Sequence, residues 1–79
     1  MRKSKAEEQL RGMGFYNVRV RVHGDVARIE VDTCDFERLM EHRTEVVECL
    51  KKAGFLYITL DLEGFVSGSM DKKILMQGE

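Results

Sequence analysis

Two kinds of hydrophobic spacing alternate along the chain. Near the N-terminus Ala6, Leu10 and Met13 recur at helical intervals. Ser4 followed three residues later by Glu7 fits a capping box, which predicts a helix beginning at Ser4. Gly14-Phe15 then supplies a glycine C-cap with its apolar contact. From Val18 the period becomes two. Val18, Val20 and Val22 alternate with Arg19 and Arg21, and beyond His23-Gly24-Asp25 the set Ala27, Ile29 and Val31 alternates with Arg28 and Glu30. This predicts a half-buried hairpin. A turn at His23-Gly24 sets Arg19 opposite Arg28, whereas a turn at Gly24-Asp25 sets Arg19 opposite Glu30 and Val20 opposite Ile29. The second register gives Arg19 an acidic partner and is the expected one.

A second helical stripe, Phe36, Leu39, Met40, Val46, Val47 and Leu50, spans Asp35 to Ala53. Arg43 interrupts it and Thr44 offers a new cap, so a kink or break is expected near residues 42–44. Gly54-Phe55 ends this helix as Gly14-Phe15 ends the first. Ile58, Leu60 and Leu62 then alternate with Tyr57, Thr59 and Asp61 as a third strand. The two halves correspond at an offset of forty: Leu10, Gly14, Phe15, Val18, Val20, Val22 and Gly24 match Leu50, Gly54, Phe55, Ile58, Leu60, Leu62 and Gly64. The order αββαβ(β) is a permutation of the ferredoxin-like unit. The expectation is therefore an α+β fold, a two-layer α/β sandwich with both helices on the valine and leucine side of the sheet. Phe65 to Met70, rich in glycine and serine, makes a weak fourth strand. One domain is expected over residues 1–70, with 71–79 a loosely held tail whose only pattern is Ile74-Leu75-Met76, or a segment docked on a partner.

Composition adds exclusions. With 79 residues the chain has room for one small domain, modestly stabilised and open to help from a partner or a second copy. Thirteen basic against fourteen acidic residues leave a net charge of −1, which selects neither nucleic acid nor membrane as partner. That balance hides an asymmetry: residues 1–28 carry seven bases and three acids, residues 29–79 six bases and eleven acids. No apolar run approaches the roughly 18 residues of a membrane span, and no secretory signal precedes the first helix. Cys34 and Cys49 do not form a disulfide framework, so a reducing cytoplasm is the expected compartment.

Strand parity places Arg19, Arg21, Arg28, Glu30, Tyr57, Thr59 and Asp61 together on the outer sheet face. Three guanidiniums on adjacent strands can grip an oxyanion through forked hydrogen bonds; equally, they can form a solvated face paired with Glu30 and Asp61. The candidate ligand-binding residues are Arg19, Arg21, Arg28 and Glu30. Metal and cofactor motifs are missing, since His23, His42, Cys34 and Cys49 occur singly and no phosphate-binding glycine loop is present. Cys49 beside a helix stripe reads as a structural thiol. Cys34 at a helix start lacks a base to complete a catalytic pair. For RNA the sheet offers only Tyr57 for stacking.

The string Val18-Arg-Val-Arg-Val-His-Gly-Asp-Val-Ala-Arg-Ile-Glu-Val31, with Gly54-Phe55 leading through Leu60-Asp-Leu-Glu-Gly-Phe65 to Ser67-Gly-Ser-Met70, resembles the C-terminal domain of the ATP-dependent sacrificial sulfur transferases, the LarE family of PP-loop ATPases. The resemblance covers roughly residues 6–70. Members of that family adenylate a pyridinium carboxylate and donate sulfur from their own cysteine toward a nickel-pincer cofactor. Their Ser-Gly-Gly-x-Asp-Ser loop is missing here, and neither cysteine stands in their Cys-x-x-Ser-Arg context. The resemblance thus implies a non-catalytic accessory module that does not adenylate on its own. Arg19 and Arg21 would bind phosphate or carboxylate, Glu30 would orient an arginine or meet a cation, and a separate PP-loop ATPase would be the partner. A structural oligomerisation domain without a small-molecule ligand is the alternative, and a small enzyme using the Cys34 thiolate is a third reading. Met1, just ahead of the first helix, suits a free-standing product or an excised domain.

Overall fold

The computed structural model describes residues 2–66. Its elements are α1 (Arg2–Gly12), β1 (Val18–His23), β2 (Val26–Val31), a 3-10 turn at Thr33–Asp35, α2 (Phe36–Glu41), α3 (Arg43–Lys52) and β3 (Tyr57–Leu60). The order αββαβ and the two-layer α/β sandwich both stand. The expected fourth strand lies outside the described residues from Ser67 onward, as does the tail 71–79.

The hairpin adopts the expected register. Val18 pairs with Val31, Arg19 with Glu30 and Val20 with Ile29, around a Gly24-Asp25 turn. This is the register that keeps Arg19 from facing Arg28. The inner positions Val18, Val20, Ala27, Ile29 and Val31 are all buried, and Ala6 and Leu10 of α1, Leu39 of α2 and Val46 and Leu50 of α3 pack on them. Val22, at the hairpin tip, is half out of this core.

The two helix endings repeat in detail. Phe15 N–H donates to Leu10 O and Gly14 N–H to Arg11 O; Phe55 N–H donates to Leu50 O and Gly54 N–H to Lys51 O. Both are Schellman endings, in which the last free carbonyls are satisfied and the following Phe is turned inward. Each is crowned by an arginine from elsewhere. Arg38 donates to Gly14 O at 2.8 Å and lies 4.4 Å above the Phe15 ring. Arg2 donates to Gly54 O at 3.3 Å and lies 4.8 Å above the Phe55 ring. A cation over exposed carbonyls at the negative end of a helix is favourable, and its ring contact adds to that.

Four details depart from expectation. The first helix already includes Arg2, so Ser4 lies inside it and forms no capping box; the Arg2 side chain donates to the Gly24 and Gly54 carbonyls. Glu7, the other half of that box, instead accepts the backbone N–H of Val20 at 2.9 Å. The expected helix break occurs at His42, which occupies the cap of α3 in place of Thr44. The third strand stops at Leu60, leaving Leu62 80% exposed. Asp61 causes this, because its carboxylate accepts Glu63 N–H and its carbonyl accepts Gly64 N–H, closing a turn.

β3 lies parallel to β2 and directly against it, giving the order β1-β2-β3. In the split βαβ of a ferredoxin-like fold another strand separates two such strands; among the described residues none does here. The α3 ending delivers β3 to this position, with Leu56 and Tyr57 N–H both donating to Asp25 O.

Gly64 is sterically committed. Its φ is +82°, and a Cβ there would sit 2.8 Å from Val31 O and 3.0 Å from Thr33 Cγ2. Gly24 is also left-handed, but a Cβ there would meet nothing within 4 Å. Asn tolerates this backbone conformation. Gly24→Asn should therefore leave the thermal midpoint nearly unchanged, while Gly64→Asn should cost about 1–2 kcal/mol through crowding at the end of β2. Matched thermal melts of the two variants check this.

Candidate functional site

The outer face of the sheet follows from the hairpin register. With Val18, Val20, Ala27 and Ile29 turned into the core, Arg19, Arg21, Arg28 and Glu30 emerge on the side away from the helices. Thr59 joins them, paired with Arg28 across the parallel ladder, and Tyr57 stands on the same face opposite Val26. All four candidate residues therefore share one surface.

Glu30 organises the patch. Its Oε1 lies 3.3 Å from Arg21 Nε and its Oε2 lies 3.4 Å from Arg28 Nη2. Arg21 and Arg28 face each other directly across the ladder, an arrangement that is unfavourable by itself. A carboxylate placed between them removes that repulsion. Glu30 is only 8% exposed, whereas the two arginine side chains keep about two-fifths of their surface in water. On its other side Arg28 Nε lies 3.7 Å from Asp61 Oδ2, and this buried Nε finds no hydrogen-bond acceptor. Arg19 is exposed and makes no ion pair among the described residues.

Three guanidiniums and two carboxylates leave the patch with a surplus of one positive charge. Pairing with Glu30 and Asp61 occurs, as a solvated face would have it. It uses a minority of the donors, since each guanidinium carries five N–H groups. Glu30 also holds two long side chains in place, which lowers the ordering cost of any later contact.

The structure brings together one group that sequence spacing did not reveal. Asp32, Cys34 and Asp35, around the 3-10 turn, place one ligand-type atom each within 4.8 Å of the others. Asp32 already accepts the Asn17 amide at 2.9 Å and Asp35 faces Arg38 at 3.4 Å, so two of the three donors are engaged by the protein. Cys34 is an exposed free thiol. Cys49 is half-buried against the core, with its Sγ 3.8 Å from Gln9 Oε1. His23 lies at the hairpin end, and His42 contacts Glu45 at 3.3 Å. No helix among the described residues is long and apolar enough to cross a membrane.

No protein-family model matches the chain. Over 66 residues, 84% of its length, the chain is 46% identical to pyridinium-3,5-bisthiocarboxylic acid mononucleotide synthase of Lactiplantibacillus plantarum, of which the match covers 24%. Over 90% of its length it is 38% identical to an uncharacterised protein of Synechocystis, of which it covers 27%. The chain thus spans about a quarter of the length of the curated relatives it matches. It matches a fragment of the L. plantarum synthase, and the resemblance read from the strands holds at that level.

Proposed function

We propose that this chain is a non-catalytic, anion-binding module related to the C-terminal domain of the sacrificial sulfur transferases, acting with a separate PP-loop ATPase. The observation that carries the reading is the pair of arginines bracketing Glu30, with Arg19 beside them on the same face. Glu30 acts as a positioning residue. It fixes Arg21 and Arg28 so that their remaining N–H groups are available to a phosphate or carboxylate, while Arg19 supplies a third guanidinium.

The L. plantarum relative is named for a pyridinium mononucleotide carrying two thiocarboxylic acid groups. A molecule of that kind offers a phosphate and carboxylate-type groups, which are the anions this face is built to take. The partner ATPase would supply the nucleotide chemistry for which this sequence has no loop. Two free thiols fit a reducing compartment, the cytoplasm.

Titration of the arginine Nε–H and backbone amide NMR signals tests the reading, with inorganic phosphate and nicotinic acid mononucleotide as probes. Shifts are expected at Arg19, Arg21, Arg28 and Glu30. The double variant Arg19→Ala, Arg21→Ala should weaken binding about tenfold or more, because a hydrogen bond to a charged group contributes about 1.5–3 kcal/mol. Its thermal midpoint should remain near that of the parent protein, as Arg19 is exposed and Arg21 partly so. No shift with either anion in the unsubstituted protein would overturn the reading.

A further inference from the structure

The helix layer holds a cationic cavity of its own. α1 and α3 lie side by side and run in opposite directions: the Arg2 side chain reaches Gly54 O just past the end of α3, and Gln9 Oε1 lies 3.8 Å from Cys49 Sγ. Between the helices is a cavity of about 280 Å³ lined by Lys5 and Gln9 of α1 and by Cys49 and Lys52 of α3. Lys5 and Gln9 are four residues apart and Cys49 and Lys52 three, so each pair shares one face of its helix. Neither lysine forms an ion pair among the described residues. Glu8 and Glu48 are exposed on the same helices but do not line the cavity. Pockets for drug-sized ligands begin at about 300 Å³, so this one takes a single small group. The other free thiol has the opposite setting. Cys34 is exposed, and its Sγ and one carboxylate oxygen from each of Asp32 and Asp35 lie within 4.8 Å of one another. Exposure alone makes Cys34 the readier thiol, because Cys49 is half-buried.

We propose that Cys49 is a site of reversible thiol–disulfide exchange with small anionic disulfides, whose carboxylates are received by the Lys5 and Lys52 ammonium groups. In the exchange Cys49 gives its proton to water, and the thiolate attacks one sulfur of the incoming disulfide. A new bond joins Cys49 Sγ to that sulfur. The old S–S bond breaks, and its electron pair leaves on the other sulfur, which then takes up a proton. Cys49 is thereby oxidised and the departing half reduced, with the disulfide as the oxidant. Excess small thiol runs the same exchange backwards and restores Cys49. Charge decides which thiol is chosen. Two ammonium groups lining a cavity raise the local concentration of an anion about tenfold at low salt, and two carboxylates beside Cys34 act against the same anion. That bias outweighs the better exposure of Cys34, and it reverses for a cationic disulfide. The cavity belongs to the helix layer, so the proposal stands independently of the arginine face of the sheet.

Peptide mapping by mass spectrometry tests this on the 79-residue protein, after timed exposure to glutathione disulfide, which is anionic, or to cystamine, a dication. At low salt, glutathione disulfide should modify Cys49 faster than Cys34, and cystamine should modify Cys34 faster than Cys49. The two rate ratios should differ about tenfold or more. In about 1 M salt, where the screening length falls to about 3 Å, that difference should largely vanish. The double variant Lys5→Gln, Lys52→Gln changes two exposed side chains. It should slow the reaction of Cys49 with glutathione disulfide about tenfold and leave the Cys34 rate unchanged. Faster reaction of Cys34 than of Cys49 with glutathione disulfide, or a Cys49 rate unmoved by the lysine substitutions, would overturn the proposal. A preference for Cys49 that persists in full at high salt would assign it to access rather than charge and overturn it as well.

Discussion

Phe15→Ala is expected to lower the stability of the domain by about 3–5 kcal/mol, enough to leave little folded protein at physiological temperature. Phe15 has no exposed surface and is among the largest buried side chains. Its ring fills the corner where the α1 ending meets the start of β1, and Arg38 closes the site from above at 4.4 Å. Truncation removes the ring from the core, opens a cavity that α1 and β1 cannot close without breaking the Leu10–Phe15 and Arg11–Gly14 backbone bonds, and strips Arg38 of its aromatic surface. A domain of this size has a small reserve, so the loss falls on the whole fold. Tyr16→Ala is the control, since Tyr16 is 84% exposed. In thermal melts the Phe15 variant should fall by about 15 °C or more, taking about 4–8 °C per kcal/mol for a chain of this length, while the Tyr16 variant melts with the parent. A Phe15 variant melting within a few degrees of the parent would show that the cap corner is not part of the cooperative core.

The elements legible in advance were those whose information is local. Alternating valines settle which side of each strand is buried, and the Arg19–Glu30 pair favours the Gly24-Asp25 turn, although that register also sets Arg21 opposite Arg28. The shared Gly-Phe endings were visible because a Schellman cap needs only the residues of its own turn. Arg43 marked the helix break to within one residue, since a charged side chain in an apolar stripe leaves the core wherever it occurs. The arginine patch was legible for the same reason, as parity alone assigns its face. Its inner organisation was not. That Glu30 would sit between Arg21 and Arg28, and that β3 would bring Asp61 to the far side of Arg28, depends on the order of the strands in the sheet. Sequence spacing carries no measure of that order. Arg2 and Arg38 were missed because each acts on a turn far away in the chain, Arg2 on Gly54 and Arg38 on Gly14.

Glu7 fits half of a local cap by its spacing from Ser4, and its actual role yields the second large effect. The carboxylate is 7% exposed and accepts the N–H of Val20 at 2.9 Å, with Arg11 3.9 Å away on the next turn of α1. Glu7→Ala leaves that edge N–H without an acceptor in a part of the molecule covered by α1, where water reaches it only if the helix lifts. A lost hydrogen bond to a charged acceptor, with a buried donor left behind, sets the cost at about 2–3 kcal/mol. Glu7→Gln keeps an acceptor oxygen of the same reach and should recover at least half of that loss; Glu8→Ala, one residue along on the exposed side of the helix, should change almost nothing. Urea denaturation of the three variants separates these outcomes. Hydrogen exchange adds a local readout, because the Val20 amide should lose protection in Glu7→Ala to a greater degree than its neighbours inside the hairpin. A Glu7→Ala protein as stable as the parent would mean that α1 is held by its apolar stripe alone and that the β1 edge needs no carboxylate to close it.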